Sequence, residues 1–476
     1  MRTQDTATTT IIGAGFTGIS VAIEQARTYP RLQQQNPVRL PPLTIRIIDK
    51  SGDFGTGLPY SHDSDIFLLN QPAYAMSPFA DDPDHFTRWL QTQDSNATQD
   101  DFASRKQYGQ YLRDIFNQAV TDHPDIRFEC ITAEVTSIDH NTVRFSVSTA
   151  DKTKYNTDTL IIADGHQPSG FLQEYARHPR FFDTPYDVDK ARTLLTGDTQ
   201  GVLIIGTGQS AIDSLAVLDH IGYQGPIHAV SRNLVTPWKF EPALYRQDIA
   251  PYEFKILTAE TIYAQNAQTE TALKSLLSAE IRSAEHSGYG IAHILTAYNE
   301  TALQSAFTAD NIDALRSLSA HIKALYSNPT PPRRFALLQE LQSSGQLHYS
   351  RTGISAAQIT DAADGFHVND DTGAPIAPKI SVIFNGASCA RCICDHTGEI
   401  LSPLLRDAFA KGLAAPADCA KAALAGEQIT SGLYINGPAT NSERWGVETF
   451  RKDNQTTARS AVLRTLQNFL TNVQPT

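Results

Sequence analysis

Gly13, Gly15 and Gly18 stand at the spacing Gly-x-Gly-x-x-Gly, with Phe16 and Thr17 between the last two. The β-branched run Thr8 to Ile12 in front of them reads as a buried strand, and Ile19 to Arg27 behind them as a helix. That setting suits a dinucleotide pyrophosphate. Gly13 permits the tight turn, Gly15 lets backbone approach the phosphates, and Gly18 lets the helix pack on its strand. The helix N-terminus then offers unpaired N–H groups to the anion. A second set follows: the short strand Gly201 to Ile205, then Gly206-Thr207-Gly208-Gln209-Ser210-Ala211 opening the helix Ile212 to Leu218. Ala211 takes the third glycine's place, an allowed variant. The chemistry both sets predict is nucleotide binding.

Each set has a candidate ribose or phosphate partner one strand later. Asp49, followed by Lys50, ends the strand Leu43 to Asp49, where a carboxylate accepts hydrogen bonds from ribose hydroxyls. The strand Ile227 to Ser231 is followed at once by Arg232, and an arginine there suits the extra 2′-phosphate of NADPH. Cys389-x-x-Cys392-x-Cys394, with His396 close by, would suit a redox dithiol or half a zinc site. It lies after both glycine motifs, and no Cys/His pair follows at finger-like spacing, so thiols without redox or metal function are the expectation. The chain shows no Ser-His-Asp, HExxH or paired-carboxylate signature.

These motifs require a positioning scaffold, and the pattern predicts an α/β fold with two Rossmann-like dinucleotide-binding domains. Residues 1–195 read as the first part of one domain, 196–380 as the second domain, and 381–476 as a return to the first. Tyr29 to Pro42, rich in Pro and Gln, reads as a loop. Phe128 to Ile138, Thr142 to Ser148 and Thr159 to Ile162 read as a β-meander that leads back to the sheet and ends at Ala163-Asp164-Gly165. A helical insertion is expected at about 240–345, with Thr269 to Ala284, Ile312 to Tyr326 and Arg333 to Leu341 as its clearest helices. Leu433 to Ile435 reads as a late strand and Gln455 to Leu470 as a closing helix.

The chain has 476 residues, 41% hydrophobic and 19% charged, which describes an ordinary globular protein. A net charge of −12 argues against nucleic acid or an anionic membrane as partner. The first strand begins too early to leave room for a signal peptide, and five cysteines, an odd number, do not make a disulfide framework. A cytoplasmic location is the expectation; oligomeric state is left open.

The chain resembles the FAD/NAD(P)-binding family of bacterial flavoprotein monooxygenases that includes aspartate N-monooxygenases and FAD-dependent urate hydroxylases. Beside the glycine motifs, the resemblance rests on Gly55-x-Gly57-x-x-Tyr60-Ser61, on Leu68-Leu69-Asn70-x-Pro72-Ala73-x-x-Met76-Ser77, and on Asp82-Pro83-x-x-Phe86-x-x-Trp89-Leu90. Tyr108-Gly109-x-Tyr111-Leu112 and Ser231-Arg232 complete it. It implies FAD on Gly13, Gly15, Phe16, Thr17, Gly18, Asp49 and Lys50, with Met76, Tyr108, Val135, Ala163 and Gly165 as further cofactor contacts. Asn70 and Gln71 would lie by the isoalloxazine as the catalytic pair. Gly206, Gly208, Gln209, Ser210, Ser231 and Arg232 would hold NADPH, and Asn436 and Gly437 would face the flavin edge.

The activity the resemblance implies is hydroxylation of the nitrogen of a small amine or amino acid, using O₂ and a flavin hydroperoxide. The runner-up is hydroxylation of urate or a related purine, and a reductase or a non-catalytic FAD-binding protein stands behind both. In such enzymes the cofactor performs the hard step and the protein supplies geometry and water exclusion.

Overall fold

The computed structural model describes residues 6–37, 39–141, 144–165, 171–242, 251–326, 328–387, 402–413, 433–435 and 455–466. The chain divides into two compact units. The first comprises Met1–Leu68, Pro72–Phe171 and Ser388–Thr476; the second comprises Leu69–Gln71 and Leu172–Ala387.

In the first unit, β1 (Ala7–Ile12) pairs in parallel with β2 (Leu43–Asp49), which pairs in parallel with β3 (Arg127–Thr132). β1 and all but the last residue of β2 are buried. Such continuous runs mark strands covered on both faces of a parallel sheet. The buried hydroxyls of β1 must find partners. Thr465 Oγ1, in the helix over 455–466, lies 2.9 Å from Thr9 Oγ1, 2.7 Å from Thr159 Oγ1 and 2.7 Å from the Ala461 carbonyl.

Helix α1 (Phe16–Gln35) follows β1 and is longer than the sequence suggests. Tyr29 to Gln35 is helical rather than loop, and Pro30 lies inside it. That proline forfeits one backbone hydrogen bond, yet the buried face from Thr17 to Ala26 and Tyr29 holds the helix on the sheet. The expected strand Phe128 to Ile138 is two elements. β3 joins the parallel sheet, and a separate antiparallel meander runs through β4 (Val135–His140), β5 (Phe145–Thr149) and β6 (Lys154–Thr157). β7 (Thr159–Ile162) then returns to pair with β1, and the strand Leu433–Ile435 adds to its other edge in parallel. The meander packs through Ile138, Phe145 and Val147 onto Ile12, Ile48, Leu160 and Ile162, together with Leu404 and Leu405 of the helix Pro403–Ala410.

α2 (Gly57–Tyr60), α3 (His85–Gln93) and α4 (Arg105–Asp122) lie between β2 and β3. Ser104 and Gln107 form a reciprocal capping box that starts α4.

The second unit opens with β8 (Phe181–Phe182) and α5 (Val188–Leu195), then β9 (Gly201–Ile205), α6 (Gln209–His220) and β10 (Ile227–Val230). A short parallel pair, β11 (Trp238–Lys239) with β12 (Pro329–Thr330), brackets the helical insertion. β13 (Leu347–Ser350), β14 (Ile359–Ala362), β15 (Gly365–Val368) and β16 (Ile380–Asn385) complete a sheet of order β13-β10-β9-β16-β15-β14, with β8 beside β16.

Within the insertion, helices Glu270–His286 and Ile312–Tyr326 bury Leu273, Leu276, Leu277, Leu315, Leu318 and Ile322 in one core. Glu280, 0% exposed, faces inward among them. Its carboxylate accepts the Tyr252 hydroxyl and the amides of Lys255 (3.0 Å), Ile256 (2.6 Å) and Leu257 (2.5 Å). Burial pushes this carboxyl upward, but the four hydrogen bonds outweigh it and hold the pKa below the usual glutamate value.

Candidate functional site

In the first unit, β1 runs into Gly13 at φ +103, a left-handed conformation open to glycine. Its amide donates to the Ile48 carbonyl at 2.9 Å, and a Cβ there would come within 2.1 Å of the Ala163 oxygen. A Cβ on Gly18 would come within 1.9 Å of the Gly13 oxygen. Packing alone therefore demands glycine at 13 and 18. Gly15 differs: its φ is −73, and a Cβ would meet only Gly57, with Cα at 3.4 Å, an ordinary contact. The protein's own structure does not require glycine at 15. The close approach of a dinucleotide pyrophosphate is what the fingerprint expects of it.

The second glycine set repeats this division. Gly206 has φ +104, and a Cβ would come within 2.5 Å of the Gly386 oxygen. Gly208, at φ −91, would meet nothing closer than Asn328 Oδ1 at 3.9 Å. Gly15 and Gly208 are the N-caps of α1 and α6, with no side-chain cap and no acid in the first helical turn. By contrast, α5 and helices Ala259–Ala264 and Glu270–His286 are capped by Asp187, Thr258 and Thr269 and carry an acid in their first turn. The positive ends of α1 and α6 are left for an outside anion. The residues present fit a dinucleotide in each unit.

Asp49 stands at the first fingerprint. Its Oδ2 accepts from the Ala14 amide at 2.8 Å, and Oδ1 accepts from Ser51 N at 2.8 Å and Ser51 Oγ at 2.6 Å. These bonds fix the carboxylate at the carboxyl end of β2, beside the turn. Lys50 is exposed, Phe16 half-buried and Thr17 buried.

The loop Gly55 to Gly57 is part of the same construction. The Gly55 amide donates to the Ala14 carbonyl at 2.9 Å, and a Cβ on Gly57 would come within 2.9 Å of Gly15 Cα. Arg113 of α4 holds Asp53 at the start of this loop, and Thr56 Oγ1 donates to Asp53 Oδ2 at 2.9 Å. At Gly109, α4 comes so close that a Cβ would sit 2.2 Å from the Tyr60 oxygen. Tyr108 is 0% exposed; its hydroxyl donates to the Met76 carbonyl at 2.8 Å, and its ring packs against Tyr60, Phe86 and Tyr111. Both Tyr108 and Met76 are sealed inside the protein, which makes them supports behind the loop.

Ala163 donates its amide to the Ile12 carbonyl at 2.8 Å, and Gly165 has φ +83. Between them Asp164 accepts the Ser402 hydroxyl at 2.6 Å. Val135, half-buried, opens β4. Asn70 is exposed and Gln71 half-buried. Asn436, Gly437, Cys389, Cys392, Cys394 and His396 lie outside the described residues.

In the second unit Gln209 donates to the Pro329 carbonyl at 2.5 Å, and Ser210 is exposed on the first turn of α6. Asn328, buried, donates to the carbonyls of Thr207 and Val235 at 3.3 Å each, and Thr207 Oγ1 also donates to Val235 O at 2.7 Å. This amide locks the second glycine turn, a role its turn-forming sequence did not reveal. The Ser231 amide donates to the Ser350 carbonyl at 3.2 Å, and Arg232 is exposed just beyond it.

Residues 10–167 match the family described as FAD-NAD(P)-binding, and residues 91–314 match the family described as L-lysine 6-monooxygenase/L-ornithine 5-monooxygenase. No curated protein matches the chain. Among solved structures, L-lysine 6-monooxygenase from Pseudomonas syringae is 16% identical with a TM-score of 0.53, over 98% of this chain and 99% of that one. Ornithine hydroxylase from Pseudomonas aeruginosa is 13% identical with a TM-score of 0.54, over 98% and 100%. The FAD-bound cadaverine monooxygenase from Erwinia amylovora is 13% identical with a TM-score of 0.52, over 96% and 94%. These similarities establish the two-dinucleotide-domain fold. No helix among the described residues is long and apolar enough to cross a membrane. With both glycine turns shaped for dinucleotides, the two family matches, neither of which spans half of the chain, support a flavin-dependent monooxygenase with FAD and NADPH as its cofactors.

Proposed function

We propose that this protein hydroxylates the nitrogen of a small aliphatic amine or amino acid, converting amine, O₂, NADPH and a proton to hydroxylamine, water and NADP⁺. The observation that carries this reading is the match of residues 91–314 to the lysine/ornithine monooxygenases, because it spans the second glycine turn and most of the helical insertion. The similar structures named above act on lysine, ornithine and cadaverine, each of which ends in a primary amine. FAD, when bound, supplies the activation of dioxygen with electrons from NADPH.

The chain's own residues bind and orient. The backbone at Gly13, Gly15, Phe16, Thr17 and Gly18 would hold the FAD pyrophosphate, and Asp49 the ribose. Gly206, Gly208, Gln209 and Ser210 would hold the NADPH pyrophosphate, and Arg232 its 2′-phosphate. Asn70 and Gln71 are accessible polar side chains assigned to the reaction centre on the strength of the resemblance. Of the arginines in and beside the insertion, Arg333 is exposed and accessible to a substrate carboxylate, whereas Arg334 is buried.

The test is a screen of amines, amino acids and purines for substrate-dependent O₂ uptake, with mass analysis of the product. An N-hydroxylated amine is expected. Turnover should rise with pH as the amine, with an ordinary pKa of about 10.4, loses its proton and gains a nucleophilic lone pair. Turnover confined to purines, giving a ring-hydroxylated product, would overturn the proposal.

A further inference from the structure

β10 and β13 are adjacent parallel strands in register, Val230 opposite Ser350, so their carboxyl ends finish side by side. Ligands of open α/β sheets bind outside the carboxyl ends of the strands. An arginine follows each end: Arg232 two residues after Val230, and Arg351 directly after Ser350. Arg351 Nε donates to the Arg232 carbonyl at 3.1 Å, which ties the two residues together through backbone. Gly353 makes room for the partner: a Cβ there would come within 3.2 Å of Arg232 Cγ. Arg351 nevertheless remains 64% exposed, with one terminal nitrogen 3.9 Å from Glu270 Oε1. Glu270 itself is held more closely by Lys274, at 2.6 Å.

We propose that Arg351 is a second determinant of coenzyme specificity, forming with Arg232 a two-guanidinium site for the 2′-phosphate of NADPH, and that Glu270 weakens this site by facing Arg351. The proposal rests on the reading of the second glycine turn as the NADPH site and extends it to a residue on a different strand. A phosphate that carries close to two negative charges and three terminal oxygens is matched by two planar forks better than by one. A ribose 2′-hydroxyl offers neither charge nor enough acceptors to use the second fork, so Arg351 discriminates between the two nicotinamide coenzymes. Glu270 competes for Arg351 without closing on it, and its removal should leave the guanidinium more fully available to the phosphate.

The experiment is calorimetric titration of the FAD-loaded protein with four ligands: NADP⁺, NAD⁺, 2′,5′-ADP and 5′-AMP. Arg351→Ala is expected to weaken 2′,5′-ADP and NADP⁺ by about tenfold or more, the range for a lost charge-assisted contact. NAD⁺ and 5′-AMP should bind as before, and the salt dependence of 2′,5′-ADP binding should become shallower. Arg351→Lys should recover part of the loss, and Glu270→Gln should tighten 2′,5′-ADP without touching 5′-AMP. Equal effects on phosphorylated and unphosphorylated ligands, or no effect on either, would overturn the role of Arg351 while leaving the NADPH site standing. Failure of the unaltered protein to prefer 2′,5′-ADP over 5′-AMP would overturn the proposal together with the reading beneath it.

Discussion

Arg113 grips Asp53 through two parallel hydrogen bonds, Nε to Oδ1 at 3.0 Å and a terminal nitrogen to Oδ2 at 2.7 Å, 60 residues apart in the chain. The bond to Arg113, against some opposing burial, holds the Asp53 carboxyl below the usual aspartate range. The clasp is thus intact at neutral pH and is lost as pH falls through that lowered value.

Breaking the clasp should loosen the Gly55–Gly57 loop without unfolding the protein. Arg113→Leu is expected to weaken FAD binding by up to roughly fivefold, since a half-exposed bidentate pair contributes about 1 kcal/mol. Flavin fluorescence during dilution measures it. Unchanged FAD retention would show that the loop holds its position without Arg113.

Gly13 and Gly15 should separate folding from binding. Gly13→Ala puts a Cβ against the Ala163 oxygen and forces the turn out of its left-handed conformation, so a large drop in melting temperature is expected. Gly15→Ala meets only an ordinary contact and should stay folded, yet lose FAD affinity by at least about tenfold. A folded Gly15→Ala protein that stays fully yellow would remove the first glycine turn from the FAD site.

Glu280 offers a stability test remote from both glycine turns. Glu280→Ala leaves the amides of Lys255, Ile256 and Leu257 and the Tyr252 hydroxyl without their acceptor. The expected cost is about 2–3 kcal/mol, as for leaving partly buried donors without their charged acceptor. Urea unfolding followed by circular dichroism would show it. A loss below 1 kcal/mol, on the order expected for a surface change, would mean that water replaces the carboxylate.

His321 predicts a pH dependence. Its Nδ1 is buried without a hydrogen-bond partner, and burial first, then Lys274, lower its pKa from 6.5 to about 4, with Glu270 acting in the opposite direction. Unfolded chains therefore bind this proton more readily than the folded protein between those values. Stability contributed by neutral His321 is present above pH 6.5 and is lost as pH falls towards 4. His321→Leu should flatten the fall in urea midpoint across that window. An unchanged slope would assign the acid sensitivity to other groups.

Much of this organisation was legible in the residues themselves. Both glycine turns announce strand, turn and helix within a short span, because their geometry is local. Ile312–Tyr326 was readable to its last residue, since its apolar period is strong and a proline-rich break follows it. The end of α1 was hidden because Pro30 signals a break that packing of the helix overrides. Phe128 to Ile138 read as one strand because both halves are β-rich; only the sheet reveals that the first half pairs in parallel with β2 and the second turns away. The clasp of Asp53 by Arg113, the lock of Asn328 and the pairing of Arg351 with Arg232 were invisible, because each joins residues far apart whose individual types are common on any surface.

The pairing of Leu433–Ile435 with β7 carries a consequence for synthesis. Leu433 lies opposite Leu160, and nearly all of the second unit is encoded between them. A ribosome therefore releases almost everything needed for the second unit before the edge strand of the first exists. Until then the outer edge of β7 exposes unpaired backbone, the kind of edge that recruits strands from other chains. Thr465 arrives later still, so the hydroxyls of Thr9 and Thr159 gain their shared partner only after that strand has been made. Truncation or stalled translation before Leu433 should thus yield a competent second unit attached to an aggregation-prone first one.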